Sequence, residues 1–163
     1  MDTDNTFKGR HIIIHTDGAC IRNPGPGGWG AILQSMDGNI ELKRKEISGY
    51  DSDSTNNRME MTAAIKALEA LKDNANPVHI RSDSNLLIRG MNEWLPGWKT
   101  KGWKNAGGKS VANQDLWEFL DRLSTPRIHW SWVRGHAGNK LNEMVDRLAT
   151  AAARSPENRL FTA

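Results

Sequence analysis

The sequence predicts an α/β domain in which a mixed β-sheet is covered by helices. Three β-rich segments follow one another near the N-terminus, with a hairpin signal between the second and third. Two shorter strand signals, around Ile80 and Trp130, are each preceded by a helical pattern. The resulting order, β-β-β-α-β-α-α-β-α, joins an antiparallel meander to the crossover connections that parallel pairing needs. A chain of 163 residues is one ordinary domain. It can bury a core without disulfides or a structural metal.

Each element has its own signal. Arg10 to Thr16 contains Ile12-Ile13-Ile14, the β-branched run of a buried central strand, and Asp17-Gly18 is expected to end it. The run Asn23-Pro24-Gly25-Pro26-Gly27-Gly28 is incompatible with helix or regular strand and reads as a loop. Trp29 to Met36 is the second strand, Asp37-Gly38 a hairpin turn, and Asn39 to Ser48 a third strand with one solvated face. Gly49 to Thr55 reads as a polar loop. Thr55 or Asn56 caps a helix running to about Ala75, with Met61, Ala64, Ile65, Leu68 and Leu71 on its apolar stripe. Asn76-Pro77 stops it. Val78 to Ser82 is a short strand closed by Asp83. Ser84 to Trp94 is helical, with a break near Gly90 or Pro96-Gly97. Lys99 to Ser110 is a glycine-containing basic protrusion. Ala112 to Leu123 carries Leu116, Phe119, Leu120 and Leu123 at helical spacing. Ile128 to Val133 is the last strand and Asn139 to Arg154 the last helix.

Composition narrows the functional classes. The formal net charge is only +3, so charge alone does not mark a nucleic-acid binder. Its distribution is more telling. Between Trp94 and Asn113 there is no Asp or Glu, while Lys99, Lys101, Lys104 and Lys109 alternate with Trp94, Trp98 and Trp103. A lone cysteine, Cys20, excludes an internal disulfide and a thiolate zinc site, and suits a reducing, cytoplasmic setting. No apolar run approaches membrane-spanning length. Residues 1–10 form a polar extension and the tail after Pro156 lacks periodicity, leaving 11–154 as the catalytic domain and 155–163 as a loose end.

Four acidic residues stand out. Asp17 and Asp83 each follow a strand, and in open α/β sheets ligand sites gather at the carboxyl ends of strands. Each is also an ordinary turn residue. Glu60 is expected in the first turn of the helix that begins near Asn56, on the stripe of Ala64, Ala67 and Leu71, where the alternative is compensation of the helix dipole. Asp146 lies inside the last helix, where Asp is unfavourable by propensity unless it pairs with Lys140 or Arg147. If the four converge, two unit charges ~4 Å apart repel by about 4 kcal/mol at an effective dielectric of about 20. Divalent cations are the natural counter-charge. An all-oxygen set favours hard ions, and two of them can clamp a phosphoryl displacement. His136, flanked by glycines in Gly135-His136-Ala137-Gly138, has an ordinary pKa suited to proton movement near neutrality; a plain loop histidine is the alternative. His11, His15, His79 and His129 lie in or beside strands and are taken as structural.

These blocks, taken together, resemble the type 1 ribonuclease H family. They are Thr16-Asp17-Gly18-Ala19-Cys20, the Asn23 to Gly28 loop, Thr55-Asn56-Asn57-Arg58-Met59-Glu60, Ser82-Asp83-Ser84, the Trp98-Lys99 to Trp103-Lys104 segment, and Trp132 to Gly138 followed by Asn142-Glu143 and Asp146. The match runs from about His11 to Arg154. The resemblance implies a ribonuclease H-like fold, a five-stranded mixed sheet flanked by helices. It implies an endonuclease that cleaves the RNA strand of RNA–DNA hybrids by a two-metal mechanism, leaving 5′-phosphate and 3′-hydroxyl ends. Asp17, Glu60, Asp83 and Asp146 would hold two Mg²⁺ ions, with Mn²⁺ as an alternative, and His136 would assist water activation or product release. Cys20, Asn23, Asn56, Asn57 and Asn85 would line the minor groove near the 2′-hydroxyls. Thr55 would meet a DNA phosphate, Trp94 a DNA sugar, and Lys99, Lys101, Trp103 and Lys104 would grip the DNA strand. A monomer with no obligate protein partner is expected. Asp53 and Asn85 depart from the family, which often has a basic residue at the first position and a longer one at the second. Competing readings are another nuclease or strand transferase of the same broad fold, or a catalytically silent hybrid-binding domain; the latter would have lost an acidic ligand.

Overall fold

The computed structural model describes residues 8–72, 75–135 and 139–154. Its sheet has five strands: β1 (Arg10–Cys20), β2 (Gly25–Asp37), β3 (Ile40–Ser54), β4 (Val78–Ser82) and β5 (Ile128–Trp132). Their order is β3-β2-β1-β4-β5. β1 pairs antiparallel with β2, and β2 with β3; β1–β4 and β4–β5 are parallel. The mixed sheet expected from the element order is present, with β1 at its centre.

Two local expectations fail in an instructive way. Asp17-Gly18 does not end β1, which continues to Cys20 against β2. What ends at Thr16 is the parallel partner, since β4 pairs only as far as Ser82. Likewise Gly49 to Ser54 is not a loop, and four of the six residues of the glycine-proline run are strand. Gly25 to Gly30 pairs with Ser48 to Ser54, with a register shift between Gly25 and Gly27. Cross-strand hydrogen bonds override the local turn chemistry of both segments.

Helix α1 (Asn56–Glu69) begins as expected, with the Thr55 hydroxyl accepting from the Arg58 N–H at 3.1 Å. It stops at Glu69 rather than near Ala75; residues 73–74 lie outside the described residues. Helix α2 (Asn85–Arg89) runs through one π-helical turn, Gly90–Trp94, into α3 (Leu95–Thr100). Pro96 does not break this helix because it falls in the first turn of α3, where its missing N–H costs nothing. The wide turn at Gly90 makes room for Trp117, whose ring would collide with any side chain there. Helix α4 (Gln114–Leu123) follows Asn113, which is left-handed at φ 61°. Phe119 is a misread core position: it is 36% exposed and carries the Arg122 guanidinium over its ring. Helix α5 (Lys140–Ala153) closes the fold. No helix among the described residues is long and apolar enough to cross a membrane.

The two faces of the sheet differ. Ile14, Val78 and Ile80 pack with Met61, Ala64 and Leu68 of α1, and with Trp117 and Leu120 of α4, in the main core. Helix α5 lies on the other face. There Gly28 and Gly30 let it approach the strand backbone closely: a Cβ on Gly28 would run into the backbone of Ala149 and Ala153, and one on Gly30 would lie 2.8 Å from Leu148 Cβ. This face also carries buried polar rings. His15 is held near pKa 4 mainly by burial, then by Arg81 and Arg44. His79, stacked on His129 with centroids 5.1 Å apart, is held near 4 by burial and its histidine neighbours. The histidines read as structural are indeed strand residues.

Candidate active site

The carboxylates meet where β4 ends beside β1. Asp17 pairs in register with Gly30, so its side chain points to the α5 face, while the next residue, Gly18, faces α1. Gly18 has no room for a side chain: an added Cβ would strike the Glu60 N and lie 2.5 Å from the Met59 carbonyl carbon. That bare backbone lets the start of α1 sit against β1 and delivers Glu60 to Asp17. Asp83 arrives from the residue after β4. One oxygen from each of Asp17, Glu60 and Asp83 lies within 4.8 Å of the others. Asp146, on α5, is near enough to act on Asp17 but is not among the residues whose oxygens share this distance.

Electrostatics in the crevice are adverse to three bare charges. Burial, then the Asp83 charge, pushes Asp17 up to about 7, against a 2.9 Å hydrogen bond from the Gly18 N–H that lowers it. Glu60 is raised well above the usual carboxylate range, first by burial and then by Asp17 and Asp83. Its Oε1 is buried with no hydrogen-bond partner. The first turn of α1 contains no acidic residue, so dipole compensation does not account for Glu60. Arg58, the nearest cation in sequence, is committed elsewhere: it makes a 2.8 Å ion pair with Asp115 and donates to Asn113 Oδ1 at 3.2 Å. Three converging oxygens, with Glu60 Oε1 buried and unbonded, fit a hard divalent ion.

The other expected site residues fall into two groups. Around the start of α1, Asn23 Oδ1 accepts from the Asn56 N–H at 3.2 Å, and Asn23, Asn56, Asn57 and Asn85 are all exposed. Cys20 is half-buried, its thiol raised by burial and then by Asp51 and Asp53. Farther out, Trp94 lies under the Arg89 guanidinium at 4.9 Å and beside Trp98. Trp103, left-handed at φ 64°, packs on Trp98 at 6.3 Å. A groove of about 180 Å³ runs between these parts, lined by Asn57, Leu86, Trp94, Asn105 and Asn113 among others. Lys101 and Lys104 are exposed, but Lys99 is tied to Asp121 at 3.0 Å. His136 lies outside the described residues.

Sequence reasoning missed Asn113 and the Arg58–Asp115 pair, which fasten the exit of the basic segment to α1. It also missed Trp132, whose indole N–H donates to the Asp83 carbonyl at 3.2 Å. No local pattern announces these contacts; they join positions 49 to 57 residues apart.

The sequence profile of the RNase H family matches residues 9–154. The chain belongs to the RNase H family. It is 55% identical over 139 residues to a ribonuclease H of Thiobacillus denitrificans, a match covering 85% of this chain and 90% of that one. It is 52% identical over 149 residues to a ribonuclease H of Cyanothece sp., covering 90% and 92%. Among solved structures it is similar to LC9-RNase H1, described as a type 1 RNase H with the type 2 active-site motif. That match has a TM-score of 0.78 and 29% identity, over 90% of this chain and 74% of that one. It is also similar to LC11-RNase H1, solved with an RNA/DNA hybrid, at a TM-score of 0.65 and 26% identity, over 88% and 96%. This type 1 RNase H is therefore an enzyme, and its acidic trio could hold a metal ion.

Proposed function

We propose that this RNase H hydrolyses the RNA strand of RNA–DNA hybrids with Mg²⁺, or Mn²⁺ in its place, held by Asp17, Glu60, Asp83 and Asp146, leaving 5′-phosphate and 3′-hydroxyl ends. The observation that carries the reading is the convergence of Asp17, Glu60 and Asp83, with Glu60 Oε1 buried and unbonded. When bound, two divalent ions supply Lewis acidity to the attacking water and the leaving oxygen. The chain's own part is positional. Asp17 is fixed on the central strand and Glu60 on a helix packed against bare backbone, so neither carboxylate has to be ordered when substrate arrives. His136 is assigned proton handling on the sequence pattern alone.

The substrate side follows from chemistry. Cys20, Asn23, Asn56, Asn57 and Asn85 offer short polar groups to a minor groove, where 2′-hydroxyls distinguish RNA from DNA. Thr55 is assigned to a DNA phosphate and Trp94 to a sugar. Lys101, Lys104, Trp103 and, less directly, Lys99 are assigned to the DNA backbone. The enzyme is placed in the reducing cytoplasm on the ground of its single cysteine, and as a monomer because one chain provides every carboxylate.

The test is cleavage of labelled RNA–DNA hybrid, duplex DNA and duplex RNA, each with and without Mg²⁺. Hybrid cleavage confined to the Mg²⁺ reactions is the expected outcome. Equal cutting of duplex DNA would favour a broader nuclease, and binding of hybrid without cleavage would favour a silent binding domain.

A further inference from the structure

Three contacts from one short segment converge on Asp83 and the residue before it. The Trp132 indole N–H donates to the Asp83 carbonyl at 3.2 Å. The next residue, Val133, donates its N–H to the carbonyl of Ser82 at 2.9 Å, extending the β4–β5 ladder to the residue before Asp83. Gly135 then lies against the carboxylate itself: a Cβ on Gly135 would stand 2.7 Å from Asp83 Oδ2, 3.4 Å from its Cβ and 3.5 Å from its Cγ. The Asp83 backbone is thus held from the end of β5, and its carboxylate fills the space beside the bare Gly135. Asp83 needs such support more than its neighbours do. Asp17 stands within a paired strand and Glu60 within a helix, whereas Asp83 follows the last residue of β4 in a bend.

We infer that Trp132 and Gly135 are positioning residues for Asp83: the first fixes its backbone, the second leaves the space its carboxylate occupies. The inference rests on the metal-holding role proposed above. It separates geometry from stability. The atom that an added methyl at Gly135 would meet is the far end of a short side chain, which can rotate away cheaply. The fold should therefore survive Gly135→Ala. The carboxylate oxygen, however, must shift by about half an ångström, comparable to the tolerance of a functional constellation. Trp132 is 49% exposed, so replacing it with Phe keeps most of the packing and removes only the N–H donor.

The experiment is calorimetric titration of Mn²⁺ into substrate-free protein, for wild type, G135A, W132F and D83N, with thermal melts in parallel. Expected are an about tenfold or larger loss of Mn²⁺ affinity in G135A and an about threefold loss in W132F, with melting temperatures close to wild type in the absence of metal. Wild-type affinity in both G135A and W132F, with D83N losing binding, would overturn the positioning role and leave the metal site standing. Should G135A fail to fold, W132F alone decides. Wild-type affinity in D83N would instead remove Asp83 from the metal site.

Discussion

The crevice combines a buried Asp17 with a half-buried Glu60 and Asp83, whereas the segment from Lys99 to Ser110 is exposed along almost its whole length. In the crevice, strand pairing, a glycine contact and a helix start fix each carboxylate. In the basic segment, the backbone is held by a Lys104–Ser110 bridge, by turn hydrogen bonds around Asn105 and by a left-handed Trp103 packed on Trp98, while the ammonium groups of Lys101 and Lys104 stay exposed. The difference fits the tasks. Coordinating a hard ion tolerates little displacement of the donor oxygens. Attraction between ammonium groups and a phosphate backbone falls off slowly and tolerates side-chain motion. Chemistry sits on the stiff side of this contrast, among buried and half-buried carboxylates, and grip on the loose side, where the Lys101 and Lys104 side chains are exposed.

The largest effect should come from breaking the stiff side. Asp17→Asn should lower Mg²⁺-dependent hybrid cleavage by about 10³-fold or more, equivalent to about 4 kcal/mol of barrier. Thermal stability of the metal-free protein should hold or rise, because a repulsive neighbour of Glu60 and Asp83 is gone. Cleavage within tenfold of wild type would remove Asp17 from the centre. A second test uses the raised pKa of Asp17 and of Glu60. The metal-free fold holds protons there that the unfolded chain has released, so its stability falls as pH rises from about 4 through about 7. Metal must displace the Asp17 proton at least, so Mn²⁺ affinity should climb by about tenfold or more per pH unit below about pH 7. Calorimetry across that range checks it; a flat profile would mean the carboxylates are already ionised.

The smallest effect should come from the loose side, and the structure sharpens it. Neutralising Lys101 and Lys104 together should weaken hybrid binding and reduce its salt slope by roughly 2. Neutralising Lys99 should do less, because its ammonium already faces Asp121. Binding isotherms at several salt concentrations decide; an equal loss from Lys99 alone would show that the Asp121 pair opens on substrate.

Much of this was legible in the chain, and the pattern of success has a physical basis. The Ile12-Ile13-Ile14 run and the Thr55 cap are local signals, and the structure follows them, whereas α1 ends at Glu69, ahead of the expected Asn76-Pro77 stop. Of the four acidic candidates, Asp17, Glu60 and Asp83 come together as a trio, and Asp146 adjoins Asp17. What stayed hidden depends on partners distant in sequence. Gly49 to Ser54 looks like a loop until it pairs with Gly25 to Gly30. Pro96 looks like a break until the π-helical turn before it is seen. Asn113 gives no hint of its left-handed backbone or its bond to Arg58.

Gly28 and Gly30 set a length scale. With α5 resting on naked peptide groups, an aspartate on that helix is long enough to touch the central strand. Side chains at those two positions would lift the helix by the thickness of a methyl layer, and the same reach would call for glutamate. Anyone grafting this quartet of acids onto another sheet would have to transplant the two missing side chains along with the four that are present.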